Sequence, residues 1–553
     1  MPDPLAPSNS TPLRAWQQRT LQALAGWEGD PFLISASPGA GKTRPALELA
    51  RRLLAEGAIA RVAVICPTTP LTRQWASAAA ALGVQLAPDA ERPRPPRGFH
   101  GVAVTYARIA SDPPAWAKGV GADTLVVADE AHHLGEELAW GMGFQRAFSA
   151  SRRWLLLSGT PFRSDATPIP GVRYDAEGLA EPDISYTYAE AVADGICRPV
   201  AFVTFDGALS WRSGDDVVES TFETVLTARE AGRRYRTAIS TELPDGLPRI
   251  LREADTRLRA LRAEGHRDAG GLVVAADSSH ARQIARLLHE ATGRAPLVVL
   301  HTEARAAAKL AAFTDSREPW LVAVNMVSEG VDIPRLRVGV YATAAKTPLV
   351  FRQIVGRFVR TIRGRPAEPS WVYLPADPLL RRHASEVESE LRHALRRPED
   401  SEGMEEERAE RRRSEPSPSA EFVPLSAEFA PQMTLFGPSP VAGPSPAGFG
   451  DPTVAPTATG SHTATRASAA QPSPEAAPMA AFERRAHLRA ERSRLVADLH
   501  RRDGRSHREI NSWLNREVGI VRVDDATIDQ LERSVKRLVK ELTRRSSRAV
   551  SRT

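Results

Sequence analysis

A run of small residues, Ala36-Ser37-Pro38-Gly39-Ala40-Gly41, leads into Lys42 and Thr43, between the apolar stretch Phe32-Leu33-Ile34 and the helix-forming run Ala46 to Leu54. A polyphosphate chain requires small residues so that backbone N–H groups can approach it. It also requires a helix N-terminus to stabilise its charge, a lysine to reach the outer phosphate oxygens and a hydroxyl for a magnesium ion. Strand, loop and helix here supply all four, which makes Ser37, Pro38, Gly39, Ala40, Gly41, Lys42 and Thr43 candidate nucleotide-binding residues. The alternative is a glycine-rich turn with an incidental lysine. It is weakened by the rarity of that residue: Lys42, Lys118, Lys309, Lys346, Lys536 and Lys540 are the only lysines.

The second requirement is a carboxylate at the end of a buried strand to anchor the metal. Leu125-Val126-Val127-Ala128 runs directly into Asp129 and Glu130. Asp129, with Thr43, is the candidate magnesium ligand, and Glu130 is placed to orient or deprotonate an attacking water. His132-His133 follows, but a lone His pair without spaced Cys or carboxylate partners is a poor zinc site. Cys66 and Cys197, the only cysteines, lie far apart and read as small core residues.

These groups must be positioned by elements legible in the pattern. The chain has 553 residues, 42% of them hydrophobic and 25% charged, enough for two or three folded units with linkers. Short apolar runs at 32–34, 62–65, 102–104, 125–127, 155–157, 272–274, 297–300 and 321–324 alternate with helical segments, the pattern of two parallel-sheet α/β domains. The expected division is a tail at 1–12, a nucleotide-binding domain at 13–180, a connector at 181–265 and a second α/β domain at 266–397. A disordered Pro/Ser/Ala-rich linker at 398–478 and a helical module at 479–553 complete it. In that module Ser506 and Glu509 have capping-box spacing, and Asp525 is placed to cap the last helix. No run approaches the roughly 20 apolar residues of a membrane span, so the expectation is a cytoplasmic protein without a membrane partner. A net charge of +6 suits a polyanion without specifying one.

The motifs together resemble those of the superfamily 2 helicases, in particular the type III restriction-subunit-like branch of the DEAD/DEAH group, over residues 13–377. Leu13-Arg14-Ala15-Trp16-Gln17 resembles the adenine-reading Q motif. Cys66-Pro67-Thr68-Thr69-Pro70-Leu71 with Gln74-Trp75 resembles motif Ia, and Val104-Thr105-Tyr106 the next strand-contacting motif. Ser158-Gly159-Thr160 resembles motif III, the run 327–334 motif V, and Gln353-Ile354-Val355-Gly356-Arg357-Phe358-Val359-Arg360 motif VI. The resemblance implies tandem RecA-like domains that use ATP and Mg²⁺. Gln17, Gly330 and Asp332 would then touch the nucleotide, and Gln353, Arg357 and Arg360 would reach it from the second domain. His132, Ser158 and Thr160 would couple hydrolysis to domain movement, and Thr68 and Thr105 would contact nucleic acid.

The function so implied is an ATP-dependent DNA helicase or translocase. An RNA helicase of the same superfamily, or an ATP-switched clamp in a defence or restriction assembly, are the alternatives. Guanine-reading Asn-Lys-x-Asp and transporter-type Leu-Ser-Gly-Gly-Gln elements are absent, as is any nuclease or methyltransferase constellation. The basic C-terminal module is equally suited to phosphate binding and to docking a protein partner.

Overall fold

The computed structural model describes residues 12–136, 138–159, 168–175, 180–213, 216–300, 303, 306–324, 333–362, 365, 368–395, 422–433 and 479–550. Its first sheet contains β1 (Asp30–Ala36), β2 (Arg61–Cys66), β3 (Leu86–Ala87), β4 (Gly101–Thr105), β5 (Thr124–Asp129), β6 (Arg153–Ser158) and β7 (Ile184–Tyr186). All pair in parallel, in the order β3-β4-β2-β5-β6-β1-β7. Parallel sheets are covered on both faces, which is why these strands read as continuous apolar runs. Successive residues alternate between two cores: Ile34, Val64, Val127 and Leu157 face one, and Leu33, Ala63, Val126 and Leu156 the other.

Then follow β8 (Val200–Asp206), β9 (Leu209–Ser213), β10 (Asp216–Ser220), β11 (Gly270–Ala275), β12 (Leu297–Val299), β13 (Trp320–Val324), β14 (Leu336–Ala342), β15 (Ser370–Pro375), β16 (Phe422–Ala427) and β17 (Ala430–Met433). The second sheet runs β12-β13-β11-β14-β15-β8-β17, parallel except for β17. A small antiparallel sheet, β10-β9-β16, sits beside it. The two tandem α/β domains expected from the sequence are therefore present, and one apolar cluster, containing Trp16, Tyr186, Phe202, Phe351 and Leu374, runs through both.

Two expected boundaries change. Residues 181–265 are not a separate connector. β7 is the edge of the first sheet, β8 is inserted between β15 and β17 in the second, and the helix Leu247–Ala263 buries Ile250, Leu251, Ala254 and Leu258 against that second domain. The arginines of this helix lie on its outer face, which made an amphipathic core helix look like polar filler. Within the expected linker 398–478, residues 422–433 are ordered as β16 and β17; Ala427 and Phe429 join the second core. A short apolar run can order here because two existing strand edges supply its hydrogen bonds, whereas alone it could not offset its entropy. The rest of that segment lies outside the described residues.

The C-terminal module consists of helices Ala481–Asp503, His507–Val518 and Ile528–Val550 around Leu488, Leu499, Ile510, Leu514, Leu531 and Leu538. Ser506 and Glu509 form the expected reciprocal cap. Asp525 does not cap the last helix. It lies in a 3₁₀ turn, and Thr527 caps by accepting from the Gln530 N–H while the Gln530 side chain accepts from the Thr527 N–H. Among the described residues no helix is long and apolar enough to cross a membrane.

Candidate nucleotide site at the domain cleft

Strand register brings the chemistry together. Ser35 of β1 stands opposite Ser158 of β6, and Leu157 of β6 opposite Asp129 of β5, so all three strands deliver their loops to one edge. The phosphate loop follows β1, with Gly39 and Gly41 at φ values of 81° and 87°. That left-handed region is open to glycine but strained for other residues. From behind, the Gln17 amide donates to Gly41 O (3.1 Å) and Arg14 to Ala40 O (2.7 Å). Lys42 is folded into the site, its Nζ 3.3 Å from Ala36 O and 3.4 Å from Glu130 Oε1. Thr43 opens the helix Thr43–Ala55.

Asp129 is buried, and both its carboxylate oxygens are held: Oδ2 by the Trp75 indole N–H (2.7 Å), Oδ1 by the Glu130 N–H (3.1 Å). Tyr106 donates to its carbonyl. Burial, with the Glu130 charge adjacent, pushes the Asp129 carboxyl up to about 6. Glu130 adopts φ 51°, uncommon for a residue with a side chain, which aims its carboxylate at Lys42 and at His132 (3.5 Å). Burial alone would raise its pKa; Lys42, then His132 and His133, outweigh it and hold it near 2.

His132 bridges the domains. The Gln353 amide donates to its Nε2 (3.2 Å), which leaves the proton on Nδ1, facing Ser158 Oγ (2.9 Å). Gln353 lies on the helix Pro348–Val355 of the second domain, and the turn after it carries Gly356 and Arg357. A Cβ on Gly356 would stand 2.9 Å from Pro38 Cβ, and one on Gly39 would stand 3.5 Å from Arg360 Cγ. The phosphate loop and the Arg360 segment are thus in direct contact. Residues 196–198 fasten them: Cys197 Sγ donates to Pro38 O (3.4 Å), Arg198 N–H to Val359 O (2.7 Å), and Cys197 forms a β-bridge with Arg360. Burial pushes the Cys197 thiol up to about 11, in keeping with a packing role.

Thr68 begins the helix Thr69–Ala80 with a buried hydroxyl that has no partner, and the Thr105 hydroxyl caps the helix Tyr106–Ser111. Thr160, Gly330 and Asp332 lie outside the described residues. Trp75, Arg14 and Cys197 were not assigned to the site from sequence. Trp75 and Arg14 fall within segments resembling motif Ia and the Q motif, the only sequence signal for them.

Residues 14–167 match the DEAD/DEAH box helicase family and residues 256–361 the helicase conserved C-terminal domain. The chain carries the two domains of a superfamily 2 helicase. An uncharacterised protein of Mycobacterium tuberculosis H37Rv is 44% identical to this chain over 403 residues, 71% of this chain and 66% of the relative. The chain thus spans just under two thirds of that relative's length. Among solved structures, a fragment described as an HsdR subunit of a type I restriction enzyme from Vibrio vulnificus YJ016 is 17% identical. It covers 69% of this chain and 67% of its own, with a TM-score of 0.47. Dbp5 of S. cerevisiae, bound to RNA and ADP BeF3, is 16% identical and covers 68% of this chain and 87% of its own, with a TM-score of 0.41.

Proposed function

We propose that this helicase-type chain hydrolyses Mg-ATP in response to DNA and uses the cycle to move along DNA or separate its strands. The observation that carries the reading is the approach of the Arg360 stem to Gly39, its Cγ 3.5 Å from where a Cβ there would stand, which brings an arginine of the second domain beside the phosphate loop of the first. Loop residues Ser37 to Thr43 cradle the phosphates, and Lys42 exchanges Glu130 for the outer phosphate oxygens. Gln17 is committed to the loop through Arg14 N–H and Gly41 O, which leaves one hydrogen and one lone pair for the adenine edge. Gly330 and Asp332 belong to the same proposal through their motif.

The donor set fits magnesium: Asp129 would hold it through one carboxylate and Thr43 through one hydroxyl, the hard oxygen donors such an ion prefers. A buried carboxylate with a raised pKa is itself stabilised by a nearby cation. When bound, the ion neutralises charge on the phosphates. Asp129 holds its geometry through Trp75. Trp75→Phe keeps an aromatic ring and removes the N–H, so the Mg²⁺ concentration for half-maximal binding of a fluorescent ATP analogue should rise roughly 10- to 100-fold. A lowered Tm with unchanged Mg²⁺ dependence would leave Trp75 only a packing role.

Movement enters through His132. Its ring is fixed by Ser158 on one side and Gln353 on the other, so loss of the outer phosphate, sensed by Glu130 and Arg360, changes a contact between domains. DNA is favoured over RNA on the resemblance of the motifs over residues 13–377 to the restriction-subunit branch. The test is ATP turnover with single-stranded DNA, duplex DNA and RNA, alongside strand displacement. Stimulation by RNA alone replaces DNA with RNA, turnover without displacement or translocation makes the chain a clamp, and no stimulation by any of the three refutes the proposal.

A further inference from the structure

The chain's positive charge is concentrated at one end. Residues 479–553 contain 19 Lys and Arg against 11 Asp and Glu, so this module carries +8 while the remaining residues total −2. The module packs on the first domain through its first helix. Phe482 joins that domain's core, and Arg485 lies over the Phe99 ring (5.6 Å) while its Nε donates to Ala526 O (3.2 Å).

Two cavities of about 390 and 280 Å³ open along this seam and share Ala87, Pro88, Asp89, Arg485 and Arg489, so they form one continuous groove. Arg92 and Arg94 stand on its first-domain wall and Arg489 on the module wall, with Arg73 at its end. Four carboxylates also line it. Asp89 is taken up by Thr72 and Arg73, and Glu483 by the N-terminus of the helix it caps; Glu91 and Asp525 remain.

The groove also has a direction. Arg73, 65% exposed, lies on the helix that begins at Thr68, five residues or about 7.5 Å along its axis. Thr68, whose buried hydroxyl has no partner at that helix N-terminus, is the first-domain nucleic-acid contact that the resemblance to motif Ia implies. A strand that passes Thr68 would therefore have an arginine-lined groove further along the same helix.

We infer that the groove between the first domain and the C-terminal module binds the phosphate backbone of the strand gripped at Thr68, lengthening the track beyond the two motor domains. This rests on the proposed nucleic-acid-dependent function. Arg485 and Phe99 pin the module in place, and Arg92, Arg94 and Arg489 meet phosphates. Such contacts are sequence-independent and salt-sensitive.

The test uses the full chain and dye-labelled oligothymidylates of two lengths, one short enough for the motor domains alone and one longer, with anisotropy read across a salt series. In Arg92→Gln/Arg94→Gln/Arg489→Gln, the slope of log affinity against log salt should fall by about 2 for the long strand, since each single-strand phosphate contact contributes about 0.7. Binding of the short strand and of a fluorescent ATP analogue should be unchanged, and the triple Lys variant should restore the slope. An unchanged slope in the Gln variant, with wild type binding normally, overturns the groove and makes the seam a protein-docking or purely structural surface. Absence of binding by wild type to either strand, with ATP analogue bound, overturns the functional reading and this inference with it.

Discussion

Arg360→Ala should reduce nucleic-acid-stimulated ATP turnover by roughly 10³-fold or more, within the range an arginine meeting transition-state charge contributes in phosphoryl transfer. The expectation rests on position. The Arg360 stem passes the phosphate loop at Gly39, and its backbone is held by Cys197, whose thiol donates to Pro38 O. In the proposed cycle its guanidinium would stabilise charge that develops as the outer phosphoryl group leaves, so the loss should fall on kcat. Binding of a fluorescent ATP analogue, governed mainly by the loop and Lys42, should weaken far less. The measurement is steady-state phosphate release with single-stranded DNA present, paired with analogue binding. Turnover within tenfold of wild type would remove Arg360 from the chemistry and leave the contact with Gly39 as packing. Arg357, on the turn between the helix and Arg360, is the matched comparison: a smaller loss there would separate positioning from direct charge stabilisation.

Glu130→Gln is expected to lower turnover by roughly 10²- to 10⁴-fold, the span associated with a positioned general base. The substitution is nearly isosteric, so the left-handed turn at 130 and the Asp129 contacts persist. What is lost is the carboxylate. Where Lys42 faces it, that lysine, with His132 and His133, outweighs burial and holds this group near 2, too low for an effective base. Once Lys42 turns to the phosphates, its restraining charge moves away, and burial returns the carboxyl toward the range where it can accept a proton from water. The variant should bind nucleotide normally and accumulate in the ATP-bound form, readable as a stable complex with DNA. Normal hydrolysis by Glu130→Gln would place the base elsewhere.

The phosphate loop and the Asp129-Glu130 pair were legible because their chemistry is local: a handful of consecutive residues contains the strand end, the turn and the functional groups. The spacing of Gln353, Gly356, Arg357 and Arg360 was legible as a resemblance, since Gln353 stands on one short helix, Gly356 and Arg357 on the turn after it, and Arg360 just beyond that turn. The eight apolar runs fall on strands, save Leu300 just past the end of β12, because burial on both faces demands uninterrupted apolar residues. By contrast, β8, β16 and β17 were not visible as parts of a sheet. Their ordering depends on edges supplied by residues far away in the chain. Asp525 was a plausible cap by type, but Thr527 has the reciprocal partner three residues on.

By itself, then, the sequence determined which groups could handle a nucleotide and that two parallel-sheet domains would carry them. Only the tertiary structure decided which of those groups meet. The Trp75 indole on Asp129, Gln353 on His132, and Cys197 between Pro38 and Arg360 join residues 54, 221 and more than 150 positions apart in the Trp75, Gln353 and Cys197–Pro38 pairs respectively. No local propensity encodes such contacts. They follow from strand order, from register at one sheet edge, and from the apolar core that closes one domain on the other.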